Sequence, residues 1–177
     1  LVRQSQYEVY VPQLADDLPS LDKGTWKVNP DGSMDLTWHL RPNIKWHDGE
    51  PFTSSDLIFT FNVRRDREVA PASAGGGRPD LMIGADAPDP ETFVVHWSQI
   101  YIRAGEATDL TPLPEHILGE LYRTDKMAIP LSRYFTTDFV GTGAFRLERW
   151  DQGSWMQFER FEDYYLGRPK LDEVEEV

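Results

Sequence analysis

The 177-residue sequence contains no cysteine. This absence excludes disulfide bonds, zinc sites built on thiolates and catalysis by a thiol. The sequence also lacks any apolar run near the roughly 20 residues that a membrane-spanning helix needs, and it shows no signal-peptide pattern. Cationic residues are scarce: 18 Lys and Arg stand against 30 Asp and Glu, for a formal net charge of -12. Because such a chain repels phosphates and anionic bilayers, binding to nucleic acid or to a membrane surface is disfavoured.

Apolar and aromatic residues are plentiful. Hydrophobic residues make up 40% of the chain, and 9 Phe, 7 Tyr and 6 Trp can supply a packed core. The 13 Gly and 13 Pro concentrate at turn positions. The composition therefore predicts a folded, loop-rich domain. Because the sequence opens at Leu1 without Met and closes on a strand-like stretch, we expect it to be a piece of a longer protein.

The clearest local pattern begins at residues 29–32, where Asn-Pro-Asp-Gly favours a type I turn between antiparallel strands. After the turn, apolar residues recur at every second position, which places them on one buried strand face. They are Met34, Leu36, Trp38 and Leu40, and the alternation continues through Ile44 and Trp46. We expect this strand pattern to end at the Asp48-Gly49 turn.

Two helices are predicted. Thr53, followed three residues later by Asp56, is a variant of the capping box and indicates a helix start. The arginines at 64, 65 and 67 suit the C-terminal end of that helix. A second, short helix is expected over 113–121, with Pro114 at its start.

Further strands are predicted in pairs, with a loop between residues 69 and 79. Residues 81–85 and 92–98 form one pair, joined by a connection at 86–90, and residues 144–150 and 155–161 form another. The sequence from residue 172 starts a further strand. The fold class predicted is therefore α+β, with mixed, mainly antiparallel sheets and a few inserted helices.

Patterns for catalysis and for metal binding are weak. None of the four histidines pairs with another at helical metal-site spacing, and exposed strand histidines are commoner than a site built from His39, His47 and Asp48. We therefore expect no metal and no cofactor. Acid pairs such as Asp16-Asp17 leave a carboxylate-dependent glycoside hydrolase open as an alternative. The sequence contains neither a nucleophile elbow nor a phosphate-binding loop motif.

The tryptophans divide into two groups. Strand patterns assign four of them to the core: Trp38, Trp46, Trp97 and Trp150. Trp155, next to a glycine turn, and Tyr101, at a strand end, are freer to face a ligand. An aromatic surface that meets a protein partner is the third alternative, a non-catalytic protein-interaction module.

Several motifs together resemble the family 5 extracellular solute-binding proteins, the oligopeptide, dipeptide and nickel receptors of ABC importers. The first group comprises Val28-Asn29-Pro30-Asp31-Gly32, Thr37-Trp38-His39-Leu40-Arg41, Ile44 through Thr53 and Asp56-Leu57-Ile58-Phe59. The second comprises Leu113-Pro114-Glu115-His116-Ile117, Val140 through Leu147 and Glu162 through Asp172. Their order and spacing fit the family over most of the chain. Two departures, Ala144 for the usual Pro and Tyr165 for the usual Trp, are compatible with packing.

The resemblance implies a two-lobed receptor that closes on its ligand without catalysis. Residues 1–177 would be a fragment of the first lobe, with a small subdomain at about 20–135, a return into the main lobe at about 136–177, and the second lobe absent. The residues expected to face the cleft are Tyr101, Arg103, Asp109, Leu110 and Trp155.

The resemblance also implies the ligands and partners. Relatives take dipeptides, longer peptides, nickel chelates, opines or some oligosaccharides, so a peptide or similar small solute is the expected ligand. The expected partner is an ABC permease in the membrane. We expect the protein to be a monomer with a periplasmic or extracellular location, membrane-associated in its full-length form.

Overall fold

A computed structural model describes residues 1–4, 7, 10–69, 78–106 and 110–177. The chain divides into two compact units. Unit 1 consists of Leu1–Pro42 and Thr53–Gly119, and unit 2 consists of Asn43–Phe52 and Glu120–Val177. Most of the predicted loop between 69 and 79 lies outside the described residues. In the described part of the chain, neither helix has the length and apolar content needed to span a bilayer.

The described residues of unit 1 form two antiparallel sheets. Strands β1 (Val2–Gln4) and β2 (Tyr10–Pro12) form the smaller one. The larger sheet has four strands in the order β3-β4-β6-β5. These strands are β3 (Trp26–Val28), β4 (Met34–His39), β5 (Met82–Asp89) and β6 (Thr92–Trp97). The predicted α+β class is confirmed.

The predicted turn before β4 is present. The Gly32 N–H donates to the Asn29 carbonyl at 3.0 Å, which closes a four-residue turn. Gly32 has φ +87°, in the left-handed region that glycine adopts without strain. The Asn29 N–H then donates to the Ser33 carbonyl at 2.8 Å and starts the β3-β4 ladder.

The core of unit 1 lies between the four-stranded sheet and helix α1 (Ser54–Arg65), which packs on β5 and β6. The predicted alternation is confirmed, because Leu36 and Trp38 of β4 are 0% and 1% exposed. On β6, Phe93 and Val95 are likewise buried. The other face of the sheet carries the polar residues of the same strands.

Asp56 satisfies backbone groups at the start of both helices. Its side chain accepts the Thr53 N–H at 3.0 Å and completes the predicted capping box of α1. Its other oxygen accepts the N–H of Glu115 at 3.1 Å, where helix α2 (Glu115–Thr124) begins directly after Pro114. One turn further along α1, the buried Thr60 hydroxyl accepts the Leu113 N–H at 2.8 Å. Two polar side chains of α1 therefore hold the segment that leads into α2.

Two of the predicted strands differ in length from the strands in the structure. The strand pattern expected through Ile44 and Trp46 is interrupted at Asn43, whose φ of +58° takes the chain out of extended geometry. Ile44 and Trp46 are buried all the same, in a loop closed by one bridge between Lys45 and Pro51. The expected connection at 86–90 is shorter, because β5 continues to Asp89 through two irregularities in its register with β6.

Unit 2 contains the last residues of α2, two short 3₁₀ segments and a three-stranded antiparallel sheet. The 3₁₀ segments are Lys126–Leu131 and Arg133–Phe135. The sheet has the order β7-β8-β9, with β7 at Phe145–Asp151, β8 at Trp155–Arg160 and β9 at Glu173–Glu176. The predicted hairpin around residues 151–154 and the predicted final strand are confirmed.

The sheet of unit 2 is amphipathic, and its apolar side chains stay half-buried. Cross-strand pairs place Leu147 beside Phe158 and Trp150 beside Met156. Val174 of β9 pairs with Phe158 on the same face. Trp150, predicted as core, is therefore only partly covered, whereas Trp38, Trp46 and Trp97 are buried.

Replacing Asp56 tests its role in holding both helix starts. The Asp56→Ala variant leaves the N–H groups of Thr53 and Glu115 without their carboxylate acceptor, so the free energy of unfolding should fall by about 2–4 kcal/mol. Urea denaturation measures the change. Ser55→Ala, an exposed change in the same helical turn, is the control and should stay within about 0.5 kcal/mol of the parent chain. A loss below about 1 kcal/mol for Asp56→Ala would contradict the assignment.

Candidate functional site

Four of the five predicted ligand-facing residues follow β6 in the sequence, and the structure describes three of them. Tyr101 is half-buried, and its ring lies 5.4 Å from that of Trp97, centroid to centroid. Arg103 is exposed on the surface. Leu110 is buried at 3% exposure, and Asp109 lies outside the described residues. The roles of these residues in ligand contact stay predictions.

Arg103 forms a two-point ion pair with Glu106. Its Nε and Nη2 atoms each lie 2.8 Å from a Glu106 carboxylate oxygen. Hydrogen bonding from Arg103 holds the pKa of the Glu106 carboxyl below its ordinary value, and Tyr10 contributes a further hydrogen bond. The pair therefore carries fixed opposite charges at neutral pH. Sequence reasoning missed Tyr10 and Glu106, because no local pattern connects a residue in β2 with the segment after β6.

The same segment exposes apolar side chains that the sequence prediction also missed. Ile102 is 84% exposed and Ile100 is 55% exposed. At the end of β6, the indole Nε1 of Trp97 is buried and has no hydrogen-bond partner among the described residues. A buried donor without a partner is uncommon in folded proteins. This surface combines aliphatic, aromatic, ionic and hydrogen-bonding groups within a few residues of chain.

Trp155, the fifth predicted residue, belongs to unit 2, at the start of β8. The guanidinium of Arg149 lies over its ring, 5.1 Å from the centroid. The indole ring is half-buried. Cation–π packing accounts for the position of Trp155, and its contact with a ligand stays a prediction.

Unit 2 also contains a cavity of about 400 Å³ with a charged wall, which none of the five predicted residues lines. The lining residues are Arg146, Glu159, Arg160, Phe161, Glu162, Asp163, Asp172 and Glu173. Most of these charges are paired, including Arg146 with Glu159 and Arg160 with both Glu162 and Asp172. Two arginines stand against five carboxylates in this lining, so the wall is polar and carries a net negative charge.

His47, one of the three residues of the metal site considered from the sequence, is buried in unit 2. Its Nδ1 accepts the Gly141 N–H at 3.2 Å, so Nε2 carries the ring proton and donates to the Gly143 carbonyl at 3.0 Å. The ring lies 5.2 Å from that of Phe161. Burial lowers the pKa of His47 below its ordinary value, against the opposing effect of the Gly143 bond. In this arrangement both ring nitrogens are occupied.

No group of three or more histidine, aspartate or glutamate side chains in the described ranges is arranged to hold a metal ion. His47 was expected on the exposed side of a strand, and that expectation is wrong, because its ring is enclosed beside Gly141 and Gly143. A Cβ added at Gly141 would lie 3.3 Å from the ring of His47. The absence of a side chain at Gly141 therefore lets the imidazole approach the backbone closely.

The comparison with protein families gives one match. The model described as bacterial extracellular solute-binding proteins, family 5 middle, matches residues 10–176. Among curated relatives, the oligopeptide-binding protein AppA of Bacillus subtilis is 28% identical over 152 residues, which are 81% of this chain and 26% of AppA. A Brucella ovis protein provisionally named an ABC transporter peptide-binding protein is 27% identical over 94% of this chain and 30% of its own length.

Solved structures show the same fold. AppA from Bacillus subtilis, in complex with a nonapeptide, superposes with a TM-score of 0.76 at 21% identity, over 99% of this chain and 32% of AppA. An oligopeptide-binding protein from Thermus thermophilus, complexed with a pentapeptide, gives 0.77 at 21% identity, over 98% of this chain and 34% of that one. The chain thus spans about a third of the length of the relatives it matches.

The hydrogen bonds of His47 lead to a testable pH dependence. Because its pKa is lower in the folded state than the ordinary 6.5, the stability it contributes is complete above that value and is lost as the pH falls below it. We expect the His47 contribution to urea stability to be lost between about pH 7 and pH 5, and this loss to be absent in His47→Gln. His47→Ala should cost about 2–4 kcal/mol at pH 7, since the Gly141 N–H and the Gly143 carbonyl lose their partner.

His39→Gln serves as the matched control for these variants. His39 is exposed on β4, so its replacement should change the stability at neutral pH by less than about 0.5 kcal/mol. An unchanged acid slope in His47→Gln would contradict the neutral, doubly bonded state of His47.

Proposed function

The chain belongs to family 5 of the bacterial extracellular solute-binding proteins, and on that premise we propose that it forms part of the substrate-binding component of an ABC-type importer. The protein that contains it captures peptides or similar solutes outside the cytoplasmic membrane and delivers them to a membrane permease. The observation that carries this proposal is the family match over residues 10–176, nearly the whole chain. The printed names of AppA and of the Brucella protein support peptides as the ligand class.

We further propose that the protein acts as a monomer in the periplasm or outside the cell, associated with the membrane in its full-length form. It does not transform its ligand. Ligand contacts made only in a closed state shift the population toward that state, and the closed state is what a permease recognises. Binding energy is thereby converted into a change of shape.

The segment after β6 supplies suitable chemistry for one side of a peptide site. Exposed Ile102 and half-buried Tyr101 offer apolar surface to a ligand side chain. The ion pair of Arg103 and Glu106 offers both a cation and an anion to the termini of a zwitterionic peptide. The buried indole N–H of Trp97 is a hydrogen-bond donor left without a partner among the described residues.

Glycoside hydrolysis, the main alternative, is less well supported. A general acid for that reaction needs a raised pKa, as provided by an apolar pocket or a neighbouring carboxylate. Hydrogen bonding from Arg160 instead lowers the pKa of Glu162, a carboxyl of the cavity wall. This environment holds Glu162 in its ionised form, which accepts protons poorly and donates none at neutral pH.

Calorimetry on two proteins tests the proposal. The 177-residue chain should bind tri- to nonapeptides no tighter than about 1 mM, because it spans only about a third of its relatives and closure around a ligand needs the remainder. The longer protein that contains it should bind at least about a hundredfold tighter. Micromolar binding by the 177-residue chain alone would contradict the division of the site. Failure of the longer protein to bind any peptide would contradict the proposed function.

The role of Arg103 has its own test, made in the longer protein. Arg103→Gln should weaken peptide binding by about tenfold, since an ion pair aimed at a ligand terminus is lost. The matched control is Arg123→Gln, which breaks an exposed pair of the same i,i+3 spacing with Glu120 and should leave affinity within about twofold. Equal effects of the two changes would remove Arg103 from the site.

A further inference from the structure

His96 lies between two carboxylates on three neighbouring strands of the unit 1 sheet. On β6, its Nδ1 is 2.7 Å from the Asp35 carboxylate of β4, the residue directly opposite it in the ladder. Its Nε2 is 2.9 Å from the Asp86 carboxylate of β5. The three side chains form a continuous bridge across the polar face of the sheet, from β4 over β6 to the edge strand β5.

The irregular register of β5 makes this bridge possible. A shift between Met82 and Gly84 places Gly84 opposite His96, where it has no side chain to fill the space above β5. A Cβ added at Gly84 would lie 3.4 Å from Cδ2 of His96. The imidazole therefore passes over Gly84 and reaches Asp86, two residues further along β5. Long and aromatic side chains can reach such a diagonal neighbour on the adjacent strand.

The geometry requires a particular protonation state. A carboxylate accepts hydrogen bonds and donates none, so both ring nitrogens of His96 must be donors to bond Asp35 and Asp86 together. Only the imidazolium carries two N–H groups. A neutral imidazole keeps one of the two bonds and turns a lone pair toward the other carboxylate.

The bond of His96 to Asp35 is more buried than its bond to Asp86, so the bond to Asp86 is lost first. The side chains of His96 and Asp35 are 32% and 29% exposed, whereas that of Asp86 is 73% exposed. Asp35 is also held by Asn29, at 3.2 Å, and faces Lys27 on β3. Asp35 and Asp86 are the charged groups that face His96 from the adjoining strands, with Lys27 next beyond Asp35. The remaining proton of a neutral ring therefore stays with Asp35.

We propose that His96 is a proton-controlled clamp on the edge strand β5. When the ring is protonated, β5 is fastened through Asp86 to the centre of the sheet. When the ring loses its proton, the link to Asp86 opens while the link to Asp35 persists, so β5 loosens and β4 does not. An edge strand is the part of a sheet whose release costs least, because only one neighbouring strand holds it by backbone hydrogen bonds.

A backbone hydrogen bond connects the start of β5 to the segment after β6. The Ser98 N–H donates to the Leu81 carbonyl at 2.8 Å, immediately before β5 begins. Loosening of β5 therefore reaches the stretch that carries Tyr101 and Arg103. This effect on a ligand rests on the proposed function, whereas the clamp itself does not.

The clamp is tested on the 177-residue chain by nuclear magnetic resonance titration of the His96 ring. Hydrogen bonding from His96 to Asp35 raises the pKa of the histidine above its ordinary value, so we expect a titration midpoint above 6.5. The stability that the clamp supplies is complete below pH 6.5 and is lost as the pH rises through that midpoint. Asp86→Asn should lower the midpoint, and Asp35→Asn should lower it further. A midpoint at or below 6.5 in the unmodified chain would overturn the proposal without any variant.

Amide hydrogen exchange then identifies the strand that responds. After correction for intrinsic rates, the β5 amides bonded to β6 should exchange about twofold to fivefold faster above the midpoint than below it, the range expected for one partly exposed ion pair. The amides of β4 should not change.

In His96→Gln this pH dependence should vanish, and in His39→Gln, a histidine change on the same sheet face, it should remain. Persistence of the β5 response in His96→Gln, or an equal response in β4, would overturn the clamp. Peptide affinity measured in parallel on the longer protein reports the proposed function separately.

Discussion

The irregular segments of this chain depend on one requirement, that buried backbone N–H and C=O groups find partners. Regular strands and helices meet it internally, but the starts of helices and the glycine-rich turns do not. In unit 1 the missing acceptors are supplied by Asp56 and Thr60, which bond the backbone leading into α2. In unit 2 the imidazole of His47 supplies one acceptor and one donor to the Gly141–Gly143 stretch. Three polar side chains thus fix the path of loops that form no regular pattern of backbone hydrogen bonds.

Local signals in the sequence were sufficient for much of the fold. The Asn29–Gly32 turn, the alternation in β4 and the capping box at Thr53 depend on neighbours within a few residues, and all three were predicted correctly. The strand expected through Ile44 was wrong because apolar alternation reports burial, not pairing. Ile44 and Trp46 are buried by the fold around a loop. Asparagine is enriched at positive φ, but most asparagines have negative φ, so residue type alone did not identify Asn43.

Partners in irregular segments, and partners set by strand register, were beyond the reach of such patterns. Glu106 was not predicted as the partner of Arg103, although the two lie only three residues apart, because the 3₁₀ turn at Ala104–Glu106 has no periodic signal. The bridge from Asp35 through His96 to Asp86 depends on strand order and on a register shift at Gly84. Neither can be read from residue types. The family resemblance, by contrast, rests on the order of several motifs and was confirmed over residues 10–176.

The assignment of Asn43–Phe52 to the second unit has a consequence for biosynthesis. His47 meets its backbone partners at a separation of 94 and 96 residues. At ribosomal rates of about 5–20 residues per second, the early segment waits on the order of 5–20 s before its partners have been made. During that interval Trp46 can already pack against the ring of Phe52, 5.7 Å away between centroids, whereas the imidazole of His47 still lacks Gly141 and Gly143. An early segment of the chain therefore completes its hydrogen bonds only after residues 141–143 have been synthesised.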